Sequence, residues 1–156
     1  MRRALLASLM IAAAAPAAAR DLSVPDHRLT PGAVRALSRA EVCRTKWGRD
    51  ARHVSAAMKA EAFRAYGLSG NDDPACVPDA HGRRCEVDHL VSRELGGADD
   101  VRNLWPQPLR EAREKDKAEN MSRKEVCRGA MTLGEAQRQM ALDWRKLYRQ
   151  WFGEPR

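Results

Sequence analysis

The sequence has no apolar stretch long enough to cross a bilayer as a helix. Its one sustained hydrophobic run, residues 4–15, falls well short of the roughly 20 residues such a span needs. No C-x-x-C pair occurs, which argues against a structural zinc site. There is no internal repeat and, past residue 19, no low-complexity segment, which leaves an ordinary single domain. Glycine is absent from residues 109–126, so nothing there interrupts a helix.

What is present begins with a leader. Met1-Arg2-Arg3 is a short positive start, Ala4 to Ala15 is apolar, and Pro16-Ala17-Ala18-Ala19 supplies the small residues a signal peptidase reads. Residues 1–19 are therefore expected to be a signal peptide cut after Ala19. A retained anchor is the alternative, but the short run and its Ala-rich end favour cleavage, with no stable membrane insertion afterwards. The chain carries a formal charge of +7. Losing Arg2 and Arg3 leaves it basic, which suits a polyanion such as nucleic acid without specifying one.

Cys43, Cys76, Cys85 and Cys127 are an even number of cysteines in an exported chain, and read as two disulfides with three possible connectivities. The favoured pairing joins Cys76 to Cys85 across a turn-rich loop and Cys43 to Cys127 near the end of a later helix.

Residues 20–37, with two prolines and a glycine before residue 33, read as an extended lead-in. Ser38 and Glu41 have capping-box spacing, so a short helix should run to about Cys43, broken by Trp47-Gly48. Ala57, Met58, Ala62, Phe63 and Tyr66 mark an amphipathic helix from Ser55 that Gly67 ends, with loop from Ser69 to Arg84. Cys85 to Val91 reads as a strand, Glu94 to Asp100 as a turn, and Val101 to Trp105 as a second strand closed by Pro106 and Pro108. Residues 109–126 read as an exposed helix with pairs such as Glu111–Lys115. Thr132 with Glu135 opens a last helix, whose Ala136, Met140, Trp144, Leu147, Tyr148 and Trp151 form a packing face.

The densest polar stretch is residues 86–97, followed by Asn103-Leu104-Trp105 and by a helix containing Lys115-Asp116. Phosphodiester hydrolysis needs a base to deprotonate water, a hard cation for the leaving oxygen, and a group that orients the base. Asp88 and His89 are neighbours on a strand and should point to opposite faces. They share one site only if the chain twists there, or if Asp88 reaches toward the helix while His89 faces substrate.

These residues resemble the HNH nuclease superfamily. More narrowly, D-H-L-V-x-x-E-L-G-G, then N-L-W-P-Q and K-D-x-x-E-N, look like a group of bacterial exported HNH-like proteins. That likeness extends to Val42-Cys43, Val126-Cys127 and Glu135-Ala136-Gln137, with the sharp motif confined to residues 86–120. It implies an α+β fold, with a small ββα-metal core flanked by helices in a single domain over residues 38–156. It implies a metal-dependent endonuclease, acting on DNA ahead of RNA; nothing like a sequence-reading module accompanies the core, so little sequence specificity is expected, and the leader makes the protein periplasmic or secreted. His89 would be the general base and Asn103 the brace of the loop and of the His ring. Asp88 would be a ligand of a divalent metal, Mg²⁺ first with Mn²⁺ or Zn²⁺ as alternatives.

Two departures stand out. Ser92 lies where many relatives have proline. Arg113 lies where the family supplies a final histidine; arginine cannot ligate a metal but can clamp a phosphate. Asp116 and Glu119, at i+3 steps on that helix, are the candidates to replace the ligand. Arg93 and Arg113, with Arg83-Arg84, are expected phosphate contacts. The missing histidine also raises the alternative of an exported nucleic-acid-binding or scaffold protein with little catalysis. His27, His53 and His81 lie in polar stretches and are expected on the surface.

Overall fold

A computed structural model describes residues 21–46, 52–82 and 84–154. The expected signal peptide, Trp47-Gly48 and Arg83 lie outside the described residues. The elements run α1 (Arg39–Arg44), α2 (Ala56–Ala65), β1 (Cys85–His89), β2 (Leu104–Pro108), α3 (Leu109–Arg128) and α4 (Leu133–Phe152). Two 3₁₀ turns, Arg93–Leu95 and Val101–Asn103, fold the connection between the strands. The fold is α+β, a two-stranded antiparallel sheet among helices, held by the disulfides Cys43–Cys127 and Cys76–Cys85.

The helices start where local chemistry tells them to. Ser38 Oγ accepts from Glu41 N at 3.3 Å while Glu41 accepts from Ser38 N at 2.7 Å, the reciprocal box that opens α1. Ser55 caps α2 through Met58 N, and Thr132 caps α4 through Glu135 N at 3.1 Å. α4 kinks at Asp143, whose Oδ1 accepts from Arg145 N and Lys146 N and so caps the second half of the helix.

The strands differ from the sequence reading. β1 stops at His89, two residues early, and the second strand begins at Leu104 and runs through both prolines. The register explains how: Cys85 pairs with Pro108 and Val87 with Pro106. Hydrogen bonds from Leu90 N to Asn103 O at 2.8 Å and from Leu109 N to Arg84 O at 2.9 Å place the bonded pairs on the alternate positions. Each proline nitrogen therefore faces away from β1, where no donor is needed.

Helices cover both faces of this ribbon. α2 packs Ala62 against Val87 and Leu104 on one face, and α3 brings Lys115 to the other. The stripe read along α4 buries Ala136, Met140, Trp144, Leu147 and Tyr148 against Val91, Leu95, Ala118 and Val126. The segment from Asp21 has little regular structure but is stitched down. The indole N–H groups of Trp105 and Trp144 donate to Leu22 O and Ser23 O, both at 3.1 Å, and Thr30 Oγ1 donates to Leu104 O. α3 is not the exposed helix its composition suggested, because Lys115 is 0 % exposed. The expected Glu111–Lys115 pair does not form: Glu111 takes Arg110 at 2.8 Å, and Lys115 turns inward.

Candidate active site

The site is built on the connection between the strands, and Asn103 shapes it. Fully buried, its Oδ1 accepts from Val91 N at 2.9 Å while its Nδ2 donates to Val91 O at 3.0 Å and Ala98 O at 3.1 Å. Gly97 makes this closure possible, because a Cβ there would lie 1.8 Å from Val91 O. The loop is thereby locked directly after β1, and the last two strand residues are presented at its mouth.

His89 is 4 % exposed, and its Nε2 lies 2.7 Å from Asp99 Oδ1. Asp99 also accepts from His53 N at 2.7 Å through its second oxygen. Burial opposes the Asp99 charge, but the His53 N–H and the His89 ring outweigh it and hold the carboxyl below its ordinary range. Burial pushes His89 below the ordinary histidine value, against the pull of Asp99 and Asp88. The ring is therefore neutral near pH 7. An ionised carboxylate only accepts, so the hydrogen-bond network puts the proton on Nε2 and leaves the lone pair on Nδ1.

Asp88 points the other way. The register sets it opposite Trp105 on the face toward α3, where its Oδ2 accepts from Lys115 Nζ at 2.8 Å. The same ammonium bonds Glu119 and lies 5.4 Å from the centre of the Trp105 ring. Burial opposes the charge on Asp88, but the Lys115 charge and hydrogen bond outweigh it and hold the carboxyl low. Burial likewise opposes the charge on Lys115, which Asp88 and Glu119 nevertheless raise above the ordinary lysine range. Glu119, buried and facing the Asp88 charge, is pushed up to about 8. Burial raises Asp116 and Glu94 as well, with Asp88 adding to the first and Asp116 to the second. One ammonium thus serves a cluster holding more negative charge than it balances.

Both halves open into one cleft of about 350 Å³, lined by Arg52, Asp88, His89, Ser92, Arg93, Glu94, Asp116, Glu119 and Asn120. The strand ends at His89, so two neighbours with opposite orientations still reach the same space. Of the residues singled out from sequence, Asp88, His89, Arg93, Asp116 and Glu119 come together there. Asn103 lies beneath, bonded to loop backbone, while the His89 ring is held by Asp99. Arg113 is exposed and outside the cleft, though its charge is felt at Asp116. Arg84 donates to Cys76 O at 3.1 Å, within the loop that precedes β1.

Sequence reasoning missed Asp99, Lys115, Glu94 and Arg52. For Lys115 there was a signal: it falls in register with Ala112, Ala118, Ser122 and Val126, the buried stripe of α3. Nothing local separates Asp99, which turns to His89, from Asp100, which caps the turn through Arg102 N at 2.9 Å. Arg52 lies outside the motif altogether.

The donor set decides which metal fits. Among the described residues no group of three or more His, Cys, Asp and Glu is placed to hold an ion. The cleft has one histidine, and the four cysteines are paired, which does not suit tetrahedral zinc. Carboxylates that raise one another's pKa do suit a hard, largely hydrated cation, and Mg²⁺ needs only one or two of them besides water. Among the carboxylates of this cleft are Asp88, Asp116 and Glu119.

No protein-family model, curated protein or solved structure matches the chain.

Proposed function

We propose that the chain is an HNH-type, metal-dependent endonuclease that hydrolyses phosphodiester bonds with little sequence specificity. The observation that carries this reading is the part-buried His89–Asp99 pair, which fixes the His89 ring beside a cleft bearing Arg52, Arg93 and a carboxylate cluster. Strand, braced loop, strand and helix follow in the order the resemblance implies, with Asp88 turned toward the helix.

The residues divide the work in a simple way. His89 Nδ1 takes a proton from water, whose oxygen attacks phosphorus as the bond to the leaving oxygen breaks. Asp99 keeps the ring in the competent tautomer and stabilises the imidazolium that forms. The cleft arginines neutralise the non-bridging oxygens. Asp88, Asp116 and Glu119 would hold a divalent cation, which would supply stabilisation of the charge that builds on the leaving oxygen. DNA is the proposed substrate, and the two disulfides fit an oxidising compartment, periplasmic or extracellular. Among the described residues no helix is long and apolar enough to cross a membrane.

One observation favours a second reading, an exported nucleic-acid-binding protein or scaffold with little catalysis. Lys115 already engages both Asp88 and Glu119, two of the three residues a cation would need.

A plasmid-nicking assay on the oxidised protein lacking residues 1–19 separates the two, run with Mg²⁺, Mn²⁺, Zn²⁺ or chelator beside His89→Ala. Nicking should require metal and fall by about 100-fold or more in the variant. Equal nicking by the variant would place any cleavage elsewhere, and no nicking with any metal would favour the binding reading.

A further inference from the structure

Ser92 is 4 % exposed, and its hydroxyl oxygen is buried without a hydrogen-bond partner. It occupies the N-cap position of the turn Arg93–Leu95, yet its side chain makes no capping bond. Its carbonyl is doubly committed, since Ser92 O accepts from Leu95 N at 3.0 Å and from Gly97 N at 2.8 Å. Val91 just before it is clamped by Asn103. Ser92 therefore lines the cleft with a hydroxyl that is shielded from solvent in this conformation and whose bonding capacity is unspent. Such a group is destabilising unless something arrives to complete it.

Its surroundings indicate what arrives. Arg93 is the next residue and lines the same cleft, with Nε 3.8 Å from Asp99 Oδ1. Arg52 enters from outside the strand–loop–strand unit, anchored by Nη2 to Val87 O at 2.5 Å, and its charge is felt at His89. Two guanidinium groups and an unspent hydroxyl in one cleft match a tetrahedral oxyanion, which accepts several charge-assisted hydrogen bonds at once.

We propose that Ser92, Arg52 and Arg93 form a phosphate subsite, in which the Ser92 hydroxyl donates to a non-bridging oxygen of a nucleic-acid phosphodiester. This rests on the nuclease reading for the choice of phosphodiester alone, because the subsite is open to testing without catalysis. It gives a role to Ser92, which departs from the proline of the resembling proteins, and to Arg52, which no motif contains.

The test is binding in chelator, by calorimetry on the oxidised protein lacking residues 1–19, with inorganic phosphate and with thymidylyl-thymidine as probes. Ser92→Ala and Arg52→Gln should each weaken both probes by about tenfold, while Arg138→Gln, exposed on α4 and outside the cleft, leaves them unchanged. Ser92→Ala should melt at or above the parental temperature, since it removes an unpaired buried hydroxyl; a bond hidden inside the fold would lower it. Equal binding by parent and both variants overturns the subsite, as does dinucleotide binding that ignores Ser92. Binding that follows the prediction in a protein that never nicks DNA would keep the subsite and sink the nuclease reading.

Discussion

A lysine ammonium with no solvent contact survives only where countercharge and hydrogen bonds replace water, and Lys115 has Asp88, Glu119 and the face of Trp105 for that purpose. Removing the cation alone leaves the Asp88 carboxylate without its counter-ion in a largely desolvated site beside Glu119. Lys115→Met should therefore cost about 3–5 kcal/mol in urea unfolding. Adding Asp88→Asn to it should recover part of the loss, because the uncompensated carboxylate is then gone. A single variant that unfolds with the parent would show that the trio is not a buried electrostatic unit. Glu119 adds a pH dependence of definite sign. Its folded pKa is pushed up to about 8 from an ordinary 4.5, first by burial. Between those values the folded state keeps a proton that the unfolded state has released, so this contribution to stability falls as pH rises through the window. The parent should thus lose stability relative to Glu119→Gln between about pH 4.5 and 8, a difference read from unfolding curves across that range. A difference that does not change with pH would refute the raised value.

Elements are tied to one another at two very different chain separations. Cys43–Cys127 joins α1 to the end of α3 over 84 residues, whereas Cys76–Cys85 spans 9 just before Asp88 and His89. Arg39 adds bonds to Val126 O at 2.7 Å and Cys127 O at 2.6 Å, satisfying carbonyls at the C-terminal end of α3. On loop closure alone, replacing the long pair by serine should cost about 4.5 kcal/mol and the short pair about 2.5 kcal/mol. Chemical denaturation of the two double variants reads this directly, and a larger loss from the short pair would mean that it carries native contacts rather than chain entropy. The same contrast between local and distant determinants explains what could be read beforehand. Ser38, Ser55 and Thr132 announce helix starts within four residues, so α1, α2 and α4 were legible. Pro106 and Pro108 looked like stops because a proline ends a strand whose N–H is needed. Only the register with Val87 and Cys85 reveals that theirs are not. Asp88, His89 and Asn103 were legible as a cluster. The partners of His89 and Asp88 were not, since Asp99 and Lys115 are chosen by how the loop folds and how α3 docks.

At the scale of the whole molecule, charge decides how a polyanion is met. The chain carries +7 overall, and α3 places Arg113, Lys117 and Lys124 on its exposed side. If the chain is a nuclease as proposed, these exposed cations are expected to meet the DNA backbone outside the cleft without entering the chemistry. Each phosphate they neutralise releases condensed counterions, so affinity should fall linearly on logarithmic axes with salt, by a slope near 0.9 per phosphate on duplex DNA. The measurement uses His89→Ala, so that DNA remains intact, and compares it with the same protein carrying Arg113→Gln. Losing one backbone contact should weaken binding by a similar factor for every sequence tested and flatten the salt slope by about 1. An unchanged slope would remove Arg113 from the DNA path. A loss confined to particular sequences would point instead to a base contact, contrary to the weak specificity proposed.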